Sequence, residues 1–406
     1  MTNISVSNNP VVVGIDPHKD SLGVSIAHPN KDEVLESFIT ANFSFTDTAA
    51  MIKKAASYAK SFKTNPVFVI ESTNVFWRPL FYYLKSLNIN VATVNGYQTN
   101  SLRKTLMRKT KTDKIDAKLI CDLYKQGKFN KTQLLKDPLF SMRELTRLFK
   151  YLTDIKAMLL NRIHAYMLQA FPEFFKVMPK TSFNSILALL EQELAVPANI
   201  NHTRIDKLAN IIRTASHGKL SENKAVSLKH FAKHSFGMAE GNIGFSVALK
   251  ILAKLFISVQ ACLDSIENDA VAPLLASTPN TLNSIKGLGN ISIASFISEL
   301  GYHLNFNSAN SALAFFGFDP KIDQSGKSAG LHKRISKAGT KYGRESMFIA
   351  AGPIILHNNV FRRKYKKLRK SGCCHKEAKV IIAADLTKIC YAMLRDNSTF
   401  NPAKAV

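Results

Sequence analysis

The sequence predicts an α/β domain followed by a mostly helical remainder, and three observations carry that prediction. Over roughly the first 125 residues, short apolar runs alternate with segments of helical period, the pattern of strands and helices packed in layers. Past residue 138 the alternation stops, and two long stretches carry apolar residues at spacings of three and four, as long packed helices do. The last third concentrates positive charge: residues 326–370 hold 13 Lys/Arg and one acid, Glu345. A chain of 406 residues is long enough for two or three domains. The divisions read as 1–135, a helical region over 136–278, and 279–406.

Residues 11–15 are an apolar run that ends at Asp16, and 21–27 alternate with a period near two, reading as a hairpin partner. A third strand is expected over 34–39, a helix over 46–62, and a short apolar strand over 66–70 ending at Glu71. A helix over 75–87, a strand over 90–94 and a helix over 112–126 running into Gly127 complete the domain. Leu145, Leu148, Leu152, Ile155, Leu159 and Ile163 then form one seam. Val247, Leu252, Leu255, Val259, Leu263 and Ile266 form a second. Together they predict an antiparallel coiled-coil arm, with a helical insert over about 171–241 to which no chemistry is assigned. Residues 282–289 followed by a helix over 291–300 read as a helix-hairpin-helix, whose glycine amides suit a phosphate beside Lys286.

The formal charge is +26. Such self-repulsion favours a polyanionic partner, and nucleic acid is the expected one, because Lys and Arg contacts to phosphate release condensed counterions. At 46% hydrophobic residues the chain is no disordered polycation. No run of about 18 uncharged apolar residues appears, and the first residues lack a secretory pattern. The expectation is a soluble, cytoplasmic, nucleoid-associated protein with no membrane partner. The five cysteines are too few for a disulfide framework and lack zinc spacing.

Four acids stand out. Asp16 (in GIDPHKD) and Glu71 (in FVIESTN) sit at strand ends, and Asp113 and Asp116 (in KTDKIDAK) lie three apart, on one helix face. Carboxylates converging this way suit Mg²⁺ or Mn²⁺, and a pair of such ions would clamp both reacting oxygens of a phosphodiester. Each acid also has an ordinary reading: Asp16 as a strand-ending turn residue, Asp113 as a helix N-cap with Asp116 completing a capping-box-like pair, Glu71 as a solvated acid. Basic residues crowd the same region, with Arg103, Lys104, Arg108, Lys109 and Lys111 as candidates for nucleic-acid backbone. Lys327, Lys333, Arg334, Lys337, Lys341 and Arg344 supply the same charge further on. In FRRKYKKLRK, Arg362, Arg363, Lys366 and Lys367 are the candidate phosphate contacts.

The order strand Asp, strand Glu, helix DxxD is more specific than its parts. GIDPHKD, IEST and KTDKIDAK resemble the carboxylate motifs of the DEDD transposases of the one-ten family of insertion sequences, which includes Piv-type DNA invertases. The segment FFGFDPKIDQSGKSAGLHKRISKAGTKYGRES is similar to that family's second domain, in which a serine of an SG pair is the nucleophile. The resemblance covers both ends of the chain and leaves 171–241 unmatched. It implies a RuvC-like (RNase H-type) first domain and makes Asp16, Glu71, Asp113 and Asp116 the metal-holding set. It makes Ser325 the nucleophile, a choice that spacing alone leaves open against Ser328 and Ser336. The implied reaction is cutting and rejoining of DNA through a covalent 5′-phosphoserine. The implied partners are donor and target DNA, a structured guide RNA, and further copies of the chain joined as a dimer or tetramer through the coiled coil. Rival readings are a Piv-like invertase, a junction resolvase using water, an actin-like kinase, and an inactive nucleic-acid-binding relative.

Overall fold

The structure is a computed structural model, which describes residues 9–105, 112–129, 135–179, 182–220, 222–301, 306–320 and 334–404. The chain divides into two compact units, Met1–Leu134 and Leu135–Val406.

The first unit is a five-stranded sheet with helices on both faces. Its strands are β1 (Val11–Pro17), β2 (Ser21–Ala27), β3 (Val34–Ala41), β4 (Pro66–Glu71) and β5 (Val91–Val94). Their order is β3-β2-β1-β4-β5. The hairpin-linked strands β1, β2 and β3 are antiparallel, whereas β4 and β5 run parallel to β1. Parallel pairing requires a crossover, which α1 (Phe45–Ser61) and α2 (Trp77–Ser86) supply. Ser44 caps α1, its side chain accepting from Asp47 N.

Side chains alternate across a strand. Val11, Val13 and Ile15 therefore join Met51, Ala55, Leu80 and Phe81 in one core. Val12, Val67 and Val69 join Ile120, Cys121 and Leu123 in another. The latter three residues belong to α4 (Asp113–Lys125). The expected elements of this unit are all present. The helix α3 (Gly96–Thr105) was not anticipated, because GYQTNSLRKT has no apolar stripe and buries only Gly96 and Thr99.

In the second unit α5 (Leu139–Ala170) pairs with α11 (Asn242–Ser265), which continues through a π-helical stretch, Ile266–Val271, into α12 (Ala272–Ala276). The pair is antiparallel: Lys156 meets Gln260, while the Tyr166 ring lies 5.8 Å from that of Phe245. The predicted second seam needs correction. Val247 and Leu255 are exposed, and the buried residues of α11 are Ser246, Leu249, Ala253, Phe256 and Leu263. In the first seam Leu148 is exposed and Ile163 fully buried.

The segment between the two long helices folds into α6 (Phe174–Val177), α7 (Phe183–Glu191), α8 (Pro197–His202), α9 (Ile205–Ala215) and α10 (Glu222–Lys233). These close a core with Ile163, Met167 and Leu249. By length and composition, Asn242–Ala276 is apolar enough to cross a membrane, which the absence of an uncharged 18-residue run had not suggested. Lys250 and Lys254 interrupt it, and its buried face packs within the helical core.

The remaining helices, α13 (Asn290–Leu300), α14 (Ala309–Phe315), α15 (Lys341–His357), α16 (Asn359–Lys370) and α17 (His375–Arg395), share a separate core. The expected helix-hairpin-helix is abbreviated to a single 3₁₀ turn, Leu282–Ser284, before α13. A buried ion pair links α5 to α13: Arg147 Nε donates to Glu299 Oε1 at 2.6 Å, and Thr340 Oγ1 donates to Glu299 Oε2 at 2.6 Å. Thr340 in turn caps α15 through Gly343 N. Removing one partner of a buried pair strands the other charge. Glu299→Ala is therefore expected to lower unfolding free energy by about 3–5 kcal/mol, measured by urea denaturation.

Candidate active site

Three glycines set the geometry. On the α4 face of the sheet, a Cβ at Gly14 would lie 2.2 Å from the Ala117 carbonyl oxygen and 2.7 Å from Cys121 Sγ. A Cβ at Gly23 would lie 2.8 Å from the Asp113 carbonyl oxygen. Without side chains at these positions α4 settles directly onto β1 and β2. Asp16 stands opposite Gly23 in the ladder, so the approach that Gly23 permits brings the start of α4 beside Asp16. Thr112 is the N-cap of α4, accepting from Ile115 N, and Asp113 is its first helical residue. That disposes of the N-cap reading of Asp113. Gly23→Ala should cost about 1–3 kcal/mol through overpacking and weaken divalent-cation binding, both readable from thermal melts with and without Mg²⁺.

Asp16 is buried, at 7% exposure. Its neighbour His18, which sequence reasoning did not single out, points Nε2 at 3.4 Å from Asp16 Oδ2 and 3.3 Å from Asp113 Oδ1. Among the described residues, Asp16, His18 and Asp113 are the group whose potential ligand atoms all lie within 4.8 Å of one another. Glu71 ends β4 and accepts from Thr73 Oγ1 at 3.1 Å. The third glycine, Gly96, leaves room for it, since a Cβ there would lie 2.9 Å from Glu71 Oε1. Glu71 and Asp116 stand outside the three-residue cluster but act on it electrostatically. Burial pushes the Asp16 carboxyl up to about 6, the charges of Glu71, Asp116 and Asp113 push the same way, and His18 opposes them.

Asp116 is also buried, and its charge is already answered: Arg103 Nη2 of α3 lies 2.5 Å from Asp116 Oδ1. Arg103, expected to face nucleic acid, thus faces the acids. The donor set consists of hard carboxylate oxygens crowded enough to raise a pKa, with one imidazole at the edge. It fits Mg²⁺ or Mn²⁺, which take oxygen ligands. A divalent cation there would offset the repulsion that burial has stored in Asp16.

Of the other predicted residues, Ser325, Lys327, Lys333, Arg108, Lys109 and Lys111 lie outside the described residues. Pro320 and Ile335 form an antiparallel bridge at the two ends of 321–333. Ser336 Oγ is engaged with Asp319 Oδ1 at 2.5 Å. Lys104, Lys286, Arg334, Lys337 and Lys341 are exposed.

Arg344 instead braces the turn before α15, donating to the carbonyl oxygens of Phe316 at 3.2 Å and Lys337 at 3.3 Å. Arg362 donates to the carbonyl oxygens of Ile355 and Leu356 at the end of α15. Arg363, Lys366 and Lys367 project from α16, which buries Val360 and Phe361 on its other face. The rings of His230 and His234 lie tilted to one another with centroids 5.2 Å apart, and neither belongs to the potential metal-ligating group among the described residues.

Two family models match the chain. One described as "Transposase", of the DEDD type, covers residues 13–172. One described as "Transposase IS116/IS110/IS902 family" covers 280–366. The chain is 23% identical over 332 residues to the 44.8 kDa protein of insertion element IS116 of Streptomyces clavuligerus, covering 78% of this chain and 79% of that one. It is 26% identical over 130 residues to the pilin gene-inverting protein of Moraxella bovis, and that match spans 32% of this chain and 40% of the relative's length. Among solved structures, T. thermophilus RuvC in complex with a Holliday junction substrate aligns over 30% of this chain and 99% of its own, at 13% identity and a TM-score of 0.22.

Proposed function

Because the chain belongs to the IS116/IS110/IS902 family of transposases, we propose that it is a DNA recombinase that cuts and rejoins strands of donor and target DNA. The observation that supports this most directly is the convergence of Asp16 and Asp113, with Glu71 and Asp116 close enough to hold the Asp16 pKa up.

In this reading the first unit is a RuvC-like DEDD domain. Asp16, Glu71, Asp113 and Asp116 hold Mg²⁺ or Mn²⁺. A divalent cation at these acids supplies charge neutralisation at a phosphodiester and activation of the reacting oxygens. His18, with Nε2 between the two carboxylates, orients Asp16 and Asp113. Arg103 is the resting counter-ion of Asp116.

Ser325 is the nucleophile. Its Oγ attacks phosphorus, and the 3′-oxygen leaves with a proton, giving a 5′-phosphoserine and a free 3′-hydroxyl. A 3′-hydroxyl from another strand then attacks the phosphoserine, restoring a phosphodiester and releasing the serine. Phosphodiester number is conserved, so no nucleotide is consumed. A serine hydroxyl needs help at neutral pH; Lys327, Lys333 and Arg334 are the residues in sequence reach of it.

The exposed lysines and arginines of α16 hold phosphate backbone without reading sequence. A structured RNA carried with the protein reads the sequence by base pairing. Leu148, Tyr151 and Met158 of α5, with Val247, Ile251 and Leu255 of α11, leave apolar side chains exposed on the long helix pair, a surface suited to joining copies into a dimer or tetramer as a coiled coil. A metal-dependent junction resolvase or nuclease using water is the second reading, favoured only by the fact that the acids are assembled within one unit.

The test is purification of the full chain from an expressing host, sequencing of RNA that accompanies it, and a strand-transfer assay on DNA carrying the element's ends. Mg²⁺-dependent transfer abolished by EDTA supports a recombinase. Cleavage without transfer would replace it with the nuclease.

A further inference from the structure

The strand β3 is joined to α1 by a turn that does something unusual with an aromatic residue. Phe43 adopts φ of 57°, a left-handed conformation that costs a bulky L-residue roughly 1 kcal/mol. Most of the other described non-glycine residues with positive φ end helices: Lys63, Asn88, Glu193, His217 and Asn397 each follow a C-cap. Phe43 ends none, and the residue is 59% exposed. Strain retained to hold a large ring in solvent calls for a functional explanation.

The turn is fastened to the acid-bearing loops. Buried Asn42 donates from Nδ2 to the His18 carbonyl at 2.8 Å and to the Phe76 carbonyl at 3.5 Å, and its Oδ1 accepts from Phe43 N at 2.9 Å. Asn42 N donates to the Asp20 carbonyl at 3.2 Å. One side chain therefore ties Phe43 to the segment after Asp16 and to the segment after Glu71. Beside the ring opens a cavity of about 240 Å³, walled by Phe43, Phe45, Pro79, Leu80 and Tyr83 together with the polar Asn42, Ser44 and Thr48. Phe45 is 75% exposed and meets Tyr83 edge to face, with centroids 5.3 Å apart. The lining is mainly apolar and aromatic, and the cavity is smaller than the roughly 300–1,000 Å³ of a drug-sized ligand site. Asn42 has its polar atoms engaged with backbone, the Ser44 hydroxyl is engaged with Thr46 and Asp47, and Thr48 is buried, so these polar groups are not set to read a hydrogen-bonding edge.

The geometry points to a stacking site for one unpaired nucleobase of the DNA strand that enters the acid centre, with Phe43 as the platform. An aromatic wall without polar readout accepts any base, because every base has a π-face. The inference rests on the recombinase reading of the acids. It adds that the strand is unstacked beside them, which is where strand exchange needs an end that is free of its partner.

The test is metal-free binding of the full chain to a single-stranded oligodeoxynucleotide containing 2-aminopurine, with the matching blunt duplex and the same sequence as RNA in parallel. Glycine is at ease at a positive φ, so Phe43→Gly removes the ring and relieves the turn. A thermal melt and Phe45→Ala serve as companions. Expected are a loss of single-strand affinity of about 5-fold to 150-fold, loss of 2-aminopurine quenching, and less than about 2-fold change on duplex, whose affinity is dominated by backbone charge. Phe43→Trp should retain both signals. Unchanged single-strand affinity and quenching in Phe43→Gly would overturn the site while leaving Mg²⁺-dependent strand transfer, and so the recombinase reading, standing. A loss confined to the RNA would overturn the assignment to DNA. Absence of any DNA binding by the wild-type chain would sink the site, and loss of strand transfer with it would sink the recombinase reading as well.

Discussion

Asp16→Asn is expected to abolish DNA cleavage and strand transfer, by about 10³-fold or more, and at the same time to make the metal-free protein more stable at neutral pH. The first effect follows from removing a buried acid at the centre of the candidate metal site. The second follows from its pKa. Burial and the neighbouring acids raise the Asp16 carboxyl from 3.8 to about 6, so the folded protein binds this proton more tightly than the unfolded chain. Its stabilising contribution is therefore complete below about pH 3.8 and is lost as pH rises through about 6. Above that, the ionised carboxylate is a burden on the order of 3 kcal/mol, taking about 1.4 kcal/mol per pKa unit. An amide carries no such burden. Thermal melts at pH 7.5 in EDTA should place Asp16→Asn above wild type, and added Mg²⁺ or Mn²⁺ should raise wild type and leave the variant where it was. The gap should narrow as pH falls through about 6 and close only below about pH 3.8. A variant that melts no higher than wild type in EDTA would mean that Asp16 is not under electrostatic load, and the metal assignment would lose its physical basis.

Ser325→Ala should eliminate the covalent protein–DNA adduct and strand transfer completely, with metal-induced stabilisation intact. The serine hydroxyl is the atom that would store the phosphodiester bond, and a methyl group cannot form that ester. Denaturing gel electrophoresis of end-labelled DNA after quenching reads the adduct directly. Ser328→Ala and Ser336→Ala should keep the adduct. For Ser336 the structure gives a reason, because its hydroxyl is engaged with Asp319. Persistent cleavage without adduct in Ser325→Ala would transfer the nucleophile's role to water at the acids.

Much of the first unit was legible in the sequence because its strands are buried on both faces or alternate cleanly, and two of the carboxylates, Asp16 and Glu71, follow apolar runs. Asp16 and Glu71 could be placed at strand ends, and Asp113 and Asp116 on one helical face, from spacing alone. His18 could not: one histidine after Asp-Pro carries no periodic signal, and its proximity to Asp113 exists only once β1 and α4 are packed. Arg103 was read as a phosphate ligand from its basic neighbours, but α3 is a polar helix with no stripe to announce it, so its pairing with Asp116 was hidden. The second seam was misphased because Val247 and Leu255 look as apolar as Leu249 and Phe256. Which of them is buried depends on the helices packed against α11, which the spacing of one chain segment does not specify. The strained Phe43 was equally silent, since backbone dihedrals leave no mark on a composition.

The contact between Arg103 and Asp116 makes the guanidinium and any incoming divalent ion rivals for one carboxylate oxygen. Whatever draws α3 away from α4 raises cation affinity, and by reciprocity a loaded cation loosens α3. The resting protein thus keeps its own antagonist at the acids, and a nucleic-acid strand that attracts Arg103 acts as the release. In the recombinase reading, access of the cation to Asp116 is then tied to the presence of nucleic acid, so a chain without it would idle rather than nick at random.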